Sequence, residues 1–271
     1  MSNPNALEWT HCATFICYGA RIGIRTNDAR IMLQLQNALP PHSKLAKTQK
    51  VDWQYSLWVA PPTRSGRKPF HVLYSNDEPS TRVRDIDLLL NSFEGQVQLA
   101  VAQKARRKVF VHAGVVGWKG RAILVPAKSY AGKSTLVREL VRAGATYYSD
   151  EFAVLDEHGR VHPFARPLAL RDEMKANRKI SFDELGGTIG KRPLPVGTIL
   201  VTQFRQRAKW RPQPLTPGLG ALELLANCVV ARSGDPFVLE VLTRVAMSAA
   251  ILKSARGEAK MFAPQLLDQL K

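Results

Sequence analysis

The chain has 271 residues, 45% hydrophobic and 23% charged, an ordinary globular balance that excludes dependence on a metal or disulfide staple. Thirty-nine Lys and Arg against twenty-two Asp and Glu give a net charge of +17. That surface attracts polyanions (nucleic acid, anionic lipid, nucleotide phosphates or an acidic protein) or serves solubility alone. Cys12, Cys17 and Cys228 lack metal-ligand spacing. No run of about twenty apolar residues offers a membrane span, and MSNPNALEWT has no signal-peptide pattern. The expectation is a cytoplasmic protein.

In chain order, TFICYGARIGIRTN (13–26) predicts two short strands around Gly19, and DARIMLQLQNALP a helix from Asp28 to Pro40 with Ile31, Leu35 and Leu39 on one face. QYSLWVA and FHVLYSN read as strands separated by the turn-rich PPTRSGRKP. Residues 1–84 are expected to form a small α+β unit. Residues 85–108 follow as a connecting helix, with Ile86, Leu89, Leu90, Phe93, Val97 and Val101 recurring at helical steps. Its terminal KARRK (104–108) suits the negative pole of the helix better than a nucleic-acid patch.

A second unit spans residues 109–271. VFVHAGVV is a strand candidate, GWKG a turn, RAILVPA a second strand and STLVRELVRAG an amphipathic helix stopped by Gly144. TYYSDEFAVLD reads as a strand with two acids in its middle, and VHPFARPLALR as extended. Residues 172–198 are polar and rich in glycine and proline, which predicts a flexible segment able to act as a lid. TILVTQF returns to strand, and from Thr216 onward the chain reads as helical.

Between the second strand and the helix lies PAKSYAGKST (126–135). It has the order of a phosphate-binding loop, in which backbone N–H groups and a lysine hold phosphates, a hydroxyl ligates magnesium and the helix N-terminus adds its positive pole. Gly132, Lys133, Ser134 and Thr135 match the pattern, while Ala127 stands where the first glycine belongs. Alanine fails there only if a left-handed backbone is required. The nucleotide set is then Ala127, Lys128, Ser129, Tyr130, Ala131, Gly132, Lys133, Ser134 and Thr135, with Arg166 and Arg171 as further sources of charge at the phosphates or as surface ion pairs. Asp150 and Glu151 fit a carboxylate position for magnesium, shared with Ser134. His112 alone reads as a structural histidine. RQRAKWRP (205–212), with Trp210 among cations, is either a basic loop or a single-strand nucleic-acid surface. Arg256 and Glu258 in SARGEA either meet the site or cap a helix.

The order VHAGVV, hairpin, strand, AKSYAGKST, helix ending VRAGA, and acid pair in YSDE (111–156) resembles the catalytic domain of the HPr kinase/phosphorylase family. The resemblance implies an α/β P-loop kinase domain of the HPr kinase/phosphoenolpyruvate carboxykinase type. It also implies ATP and Mg2+ as cofactors, and phosphoryl transfer to a hydroxyl of a protein serine, a peptide or a small molecule. Catalytic roles are implied for Asp150 as general base, for Lys133, and for His112 near the transferred phosphate, with Glu151 as a second acid. HPr kinases assemble as oligomers, so a homo-oligomer is one expectation. The family segment that shapes the HPr site is not matched by LPVGTILVTQF, so neither HPr as acceptor nor the phosphorylase reaction is implied. Two other functions remain open: a catalytically silent nucleotide-binding protein, supported by Ala127, and a nucleic-acid-binding protein.

Overall fold

A computed structural model describes residues 4–62, 68–127, 132–171, 177–231 and 234–270. The chain is mixed α/β, and it divides into two compact units, residues 1–106 and 107–271.

In the first unit, β1 (His11–Cys17) and β2 (Ala20–Thr26) form a hairpin over Tyr18 and Gly19, both at positive φ, the backbone that a two-residue turn between twisted strands requires. Helix α1 (Ala29–Asn37) starts at Asp28, whose side chain accepts from the Arg30 and Ile31 N–H groups, satisfying two orphan donors. β3 (Lys44–Ala46), β4 (Trp53–Trp58), β5 (His71–Ser75) and β6 (Glu78–Val83) complete a six-stranded sheet of order β3-β1-β2-β4-β5-β6. Edge strands β3 and β6 carry little apolar alternation, which is why pattern alone misses them. Helix α2 (Ile86–Lys104) is capped by Asp85. Expected as a connector, it instead packs on this sheet: Leu89, Phe93, Val97 and Val101 are buried, Phe93 meets the Tyr55 ring edge-on, and the Tyr55 hydroxyl donates to the Gln96 carbonyl at 2.9 Å. An apolar helical stripe needs a surface to cover it.

The second unit opens with β7 (Lys108–Trp118) and β8 (Arg121–Pro126), a hairpin turning at Lys119–Gly120. Helix α3 (Lys133–Arg142) follows, then β9 (Thr146–Ser149), β10 (Phe152–Asp156), β11 (Arg160–His162), β12 (Leu168–Arg171), β13 (Asn177–Ile180), α4 (Phe182–Leu185), β14 (Leu194–Phe204) and β15 (Gln213–Pro214). The chain ends with α5 (Pro217–Ala226), α6 (Pro236–Ser248), β16 (Ala250–Arg256) and α7 (Ala259–Gln269). An eight-stranded sheet runs β11-β10-β7-β8-β14-β16-β15, with β9 beside β7 and a β11–β14 pairing that closes a ring. β8, β14 and β16 are mutually parallel, so their C-terminal ends share one rim, the end of an α/β sheet where ligands bind.

Side chains alternate across these strands. Ala122 and Leu124 pack with Leu224, Val238, Val241 and Leu242 of α5 and α6. Ile123 and Val125 pack with Leu136 and Leu140 of α3 and with Phe262 and Leu266 of α7. Helices thus cover both faces, as parallel strands require.

Three expectations are corrected. The segment 172–198 is largely structured: outside residues 172–176, which lie beyond the described residues, it holds β13, the capped turn α4 and the start of β14. Leu185 of that segment is buried. The region after Thr216 is not all helical, since Ala250–Arg256 pairs with β14. The acids of YYSDEF lie between strands rather than within one. Among the described residues no helix is long and apolar enough to cross a membrane.

Candidate active site

β8 delivers the chain to Ala127, whose N–H donates to the His112 carbonyl at 3.3 Å. Ala127 is not among the described non-glycine residues at positive φ. The position occupied by alanine therefore does not ask for a glycine backbone. Lys128, Ser129, Tyr130 and Ala131 lie outside the described residues. Gly132 is the N-cap of α3 at φ 74°, ψ 22°, the left-handed region that favours glycine. Lys133, Ser134 and Thr135 form the first turn of α3, with Thr135 exposed and no acid in that turn. The helix thus presents its first-turn N–H groups and its positive pole at the rim.

Gly114 on β7 makes room for Lys133: a Cβ there would lie 3.1 Å from Lys133 Cγ and 2.5 Å from Val137 Cγ2. Burial holds the Lys133 amine below its usual pKa, opposed by the charges of Asp150 and then Glu151. Both acids sit in a bend. β9 and β10 pair with the same edge of β7, Ser149 opposite Val115 and Phe152 opposite His112. The Ser149 hydroxyl accepts from the Glu151 and Phe152 N–H groups at 3.1 and 3.0 Å, and the Ala113 N–H donates to the Glu151 carbonyl at 3.2 Å. Asp150 is 9% exposed. Its Oδ2 accepts from the Ser134 hydroxyl at 3.1 Å and its Oδ1 from the Tyr147 hydroxyl at 3.1 Å. Tyr147 OH also contacts the Arg166 carbonyl at 2.9 Å. Burial, reinforced by Asp150, pushes the Tyr147 phenol far up, so it keeps its proton.

His112 stacks at a tilt on Phe152, ring centroids 4.7 Å apart. Burial first, and the Lys133 charge second, lower its pKa below 6.5, so the ring is neutral at pH 7. The structure brings Lys133, Ser134, Asp150 and His112 together. Arg166 joins through its backbone carbonyl, and Arg171 ends β12 opposite Asn177.

Arg256, undecided from sequence, closes β16 at this rim. It is 2% exposed, and its Nη2 donates to the Gly132 carbonyl at 2.9 Å. The available signal was an arginine ending a short apolar run, obscured because that run continues the apolar pattern of α6. Trp210 is committed to its own chain. Its ring lies 4.8 Å from Phe262, and its Nε1 donates to Gln269 Oε1 at 3.1 Å.

The donors suit magnesium. Ser134 Oγ and Asp150 Oδ2 are hard oxygens side by side, and magnesium binds through one or two carboxylates while phosphate and water fill the remaining positions. Among the described residues no group of three or more His, Cys, Asp or Glu is placed to hold a metal by itself, so the pair calls for such outside ligands. No protein-family model and no curated protein matches the chain, which leaves the chemistry of this rim as the ground for a function.

Proposed function

We propose that the second unit is an ATP-dependent, magnesium-assisted phosphotransferase acting on a hydroxyl of a protein, peptide or small molecule, with the HPr-kinase-like domain that the resemblance implies. The observation that carries this reading is the Ser134–Asp150 hydrogen bond. It joins a hydroxyl and a carboxylate, the kind of oxygens magnesium takes, beside a helix whose first residue is a half-buried lysine.

ATP with magnesium supplies an activated terminal phosphoryl group whose bond to ADP breaks as the bond to the acceptor oxygen forms. The Lys133 amine and the first-turn N–H groups bind and orient the phosphates. Ser134 would hold the metal directly and Asp150 through water, which leaves Oδ2 without a metal bond, with Glu151 beside them. Asp150 Oδ2, once released by the Ser134 hydroxyl, accepts the proton of the attacking hydroxyl, while Tyr147 keeps Oδ1 in place. His112 offers a neutral ring nitrogen, adding no charge beside Lys133. The contacts of Trp210 with Phe262 and Gln269 give it a role within its own fold, which favours the basic-loop reading over a nucleic-acid surface.

The test is calorimetric ATP binding with and without magnesium, on the native protein and on Lys133→Ala, followed by an acceptor screen with labelled ATP. Micromolar, magnesium-enhanced binding lost in the variant supports the nucleotide site. Acceptor-dependent ADP production over many turnovers supports the transferase. Binding without turnover leaves the silent nucleotide-binding protein, and no binding by folded native protein rejects the reading.

A further inference from the structure

A buried arginine reaches the start of α3 from a strand far along the chain. Arg256 is 2% exposed. Among the described residues its polar partners are two backbone carbonyls, Gly132 through Nη2 at 2.9 Å and Gly257 through Nη1 at 3.0 Å. Its Nε is buried with no hydrogen-bond partner among the described residues. The guanidinium carbon lies 5.7 Å from the Phe204 ring centroid, and Glu258 bears on it through space. A buried cation without a hydrogen-bonded counter-charge is costly, and an unsatisfied buried N–H adds to that cost. Such a group calls for an anion.

The contact with Gly132 also acts on the helix. The Gly132 carbonyl accepts both from Arg256 Nη2 and from the Leu136 N–H at 3.1 Å. In a planar trans peptide the N–H lies opposite the C=O, so two donors on the Gly132 oxygen hold the Lys133 N–H outward from the helix start. A cation on that oxygen polarises the peptide and strengthens the N–H as a donor to an anion. A Cβ at Gly132 would come within 2.9 Å of Arg256 Nη2, so the guanidinium would have to shift off its carbonyl partner.

We propose that Arg256 completes an anion site at the N-terminus of α3, fixing the Gly132–Lys133 peptide through the Gly132 carbonyl so that the Lys133 N–H meets a bound phosphate, whose charge offsets that of the guanidinium through space. The inference rests on reading the start of α3 as a phosphate site, and it assigns Arg256 as a positioning residue. A nucleotide and inorganic polyphosphate both supply such a phosphate, since the chemistry is shared.

The probe is inorganic tripolyphosphate without magnesium, titrated calorimetrically into the full chain, Arg256→Met, Arg256→Lys and Lys133→Ala. The native protein binds. Arg256→Met weakens binding by about 10- to 100-fold, the range for a charged hydrogen bond, and Arg256→Lys recovers part of the loss by keeping charge without the fork. In the native protein the Arg256 Nε–H resonance shifts as the anion saturates, a readout that a merely structural arginine would not give. An unmoved resonance at saturation, affinity within twofold in Arg256→Met, or no binding by the native protein overturns the proposal. The resonance decides even if neither Arg256 variant folds. Tripolyphosphate binding with no ATP turnover on any acceptor would fail the transferase alone. ATP turnover with tripolyphosphate affinity indifferent to Arg256 would fail this inference alone. Parallel ATP titrations separate the sources: tighter ATP binding indicates a nucleotide site, and equal binding indicates a general polyphosphate site.

Discussion

The Ser134 hydroxyl donates to Asp150 Oδ2 across 3.1 Å, tying the first turn of α3 to the bend between β9 and β10. Ser134→Ala leaves a buried carboxylate short of one donor, a cost of about 1–3 kcal/mol. It should lower the urea midpoint and abolish the magnesium enhancement of ATP binding. Asp150→Asn should reduce phosphotransfer by about 10²–10⁴-fold, the span of general-base catalysis, measured as ADP release under saturating acceptor. Intact transfer in that variant would reject Asp150 as base.

Ala127 does not occupy the left-handed backbone that demands glycine. Ala127→Gly should therefore leave ATP affinity within about twofold. It should cost about 0.4–1 kcal/mol of stability through the freer unfolded chain. Chemical denaturation and calorimetry check both halves, and a large gain in affinity would show that alanine impairs the loop.

Gly114 faces the stem of Lys133. A Cβ at 2.5 Å from Val137 Cγ2 and 3.1 Å from Lys133 Cγ forces side chains apart, an overpacking cost of about 1–3 kcal/mol. Gly114→Ala should lower the melting temperature and weaken ATP binding together. Unchanged stability would mean that the β7–α3 contact yields freely.

His112 has its pKa depressed below 6.5, by burial first and by Lys133 second. The unfolded chain takes up this proton at the ordinary value, while the folded protein takes it only at lower pH. Stability is therefore lost as pH falls below 6.5, until the folded pKa is passed, and is insensitive to this group well above 6.5. His112→Gln should flatten the fall in urea midpoint between pH 7.5 and pH 5.5, and an identical slope in both proteins would reject a depressed pKa at this half-buried ring.

Local physics was legible in the chain. Asp28 and Asp85 cap helices through donors two and three residues on. Lys119–Gly120 turns a hairpin, and the apolar spacing of α2 marks its buried stripe. GKST after an apolar strand locates the start of α3, because each of these depends on neighbours within one turn or one hairpin.

The tertiary structure decided what depends on distant partners. AIL reads like more of α6, since a short apolar run suits helix or strand equally. It becomes strand because Thr198 lies opposite Ala250 and Phe204 opposite Arg256. That parallel pairing carries Arg256 to Gly132, 124 residues away in the chain, and the packing of α7 half-buries Trp210 against Phe262. Periodicity reports which residues want burial, and only the assembled sheet determines against what.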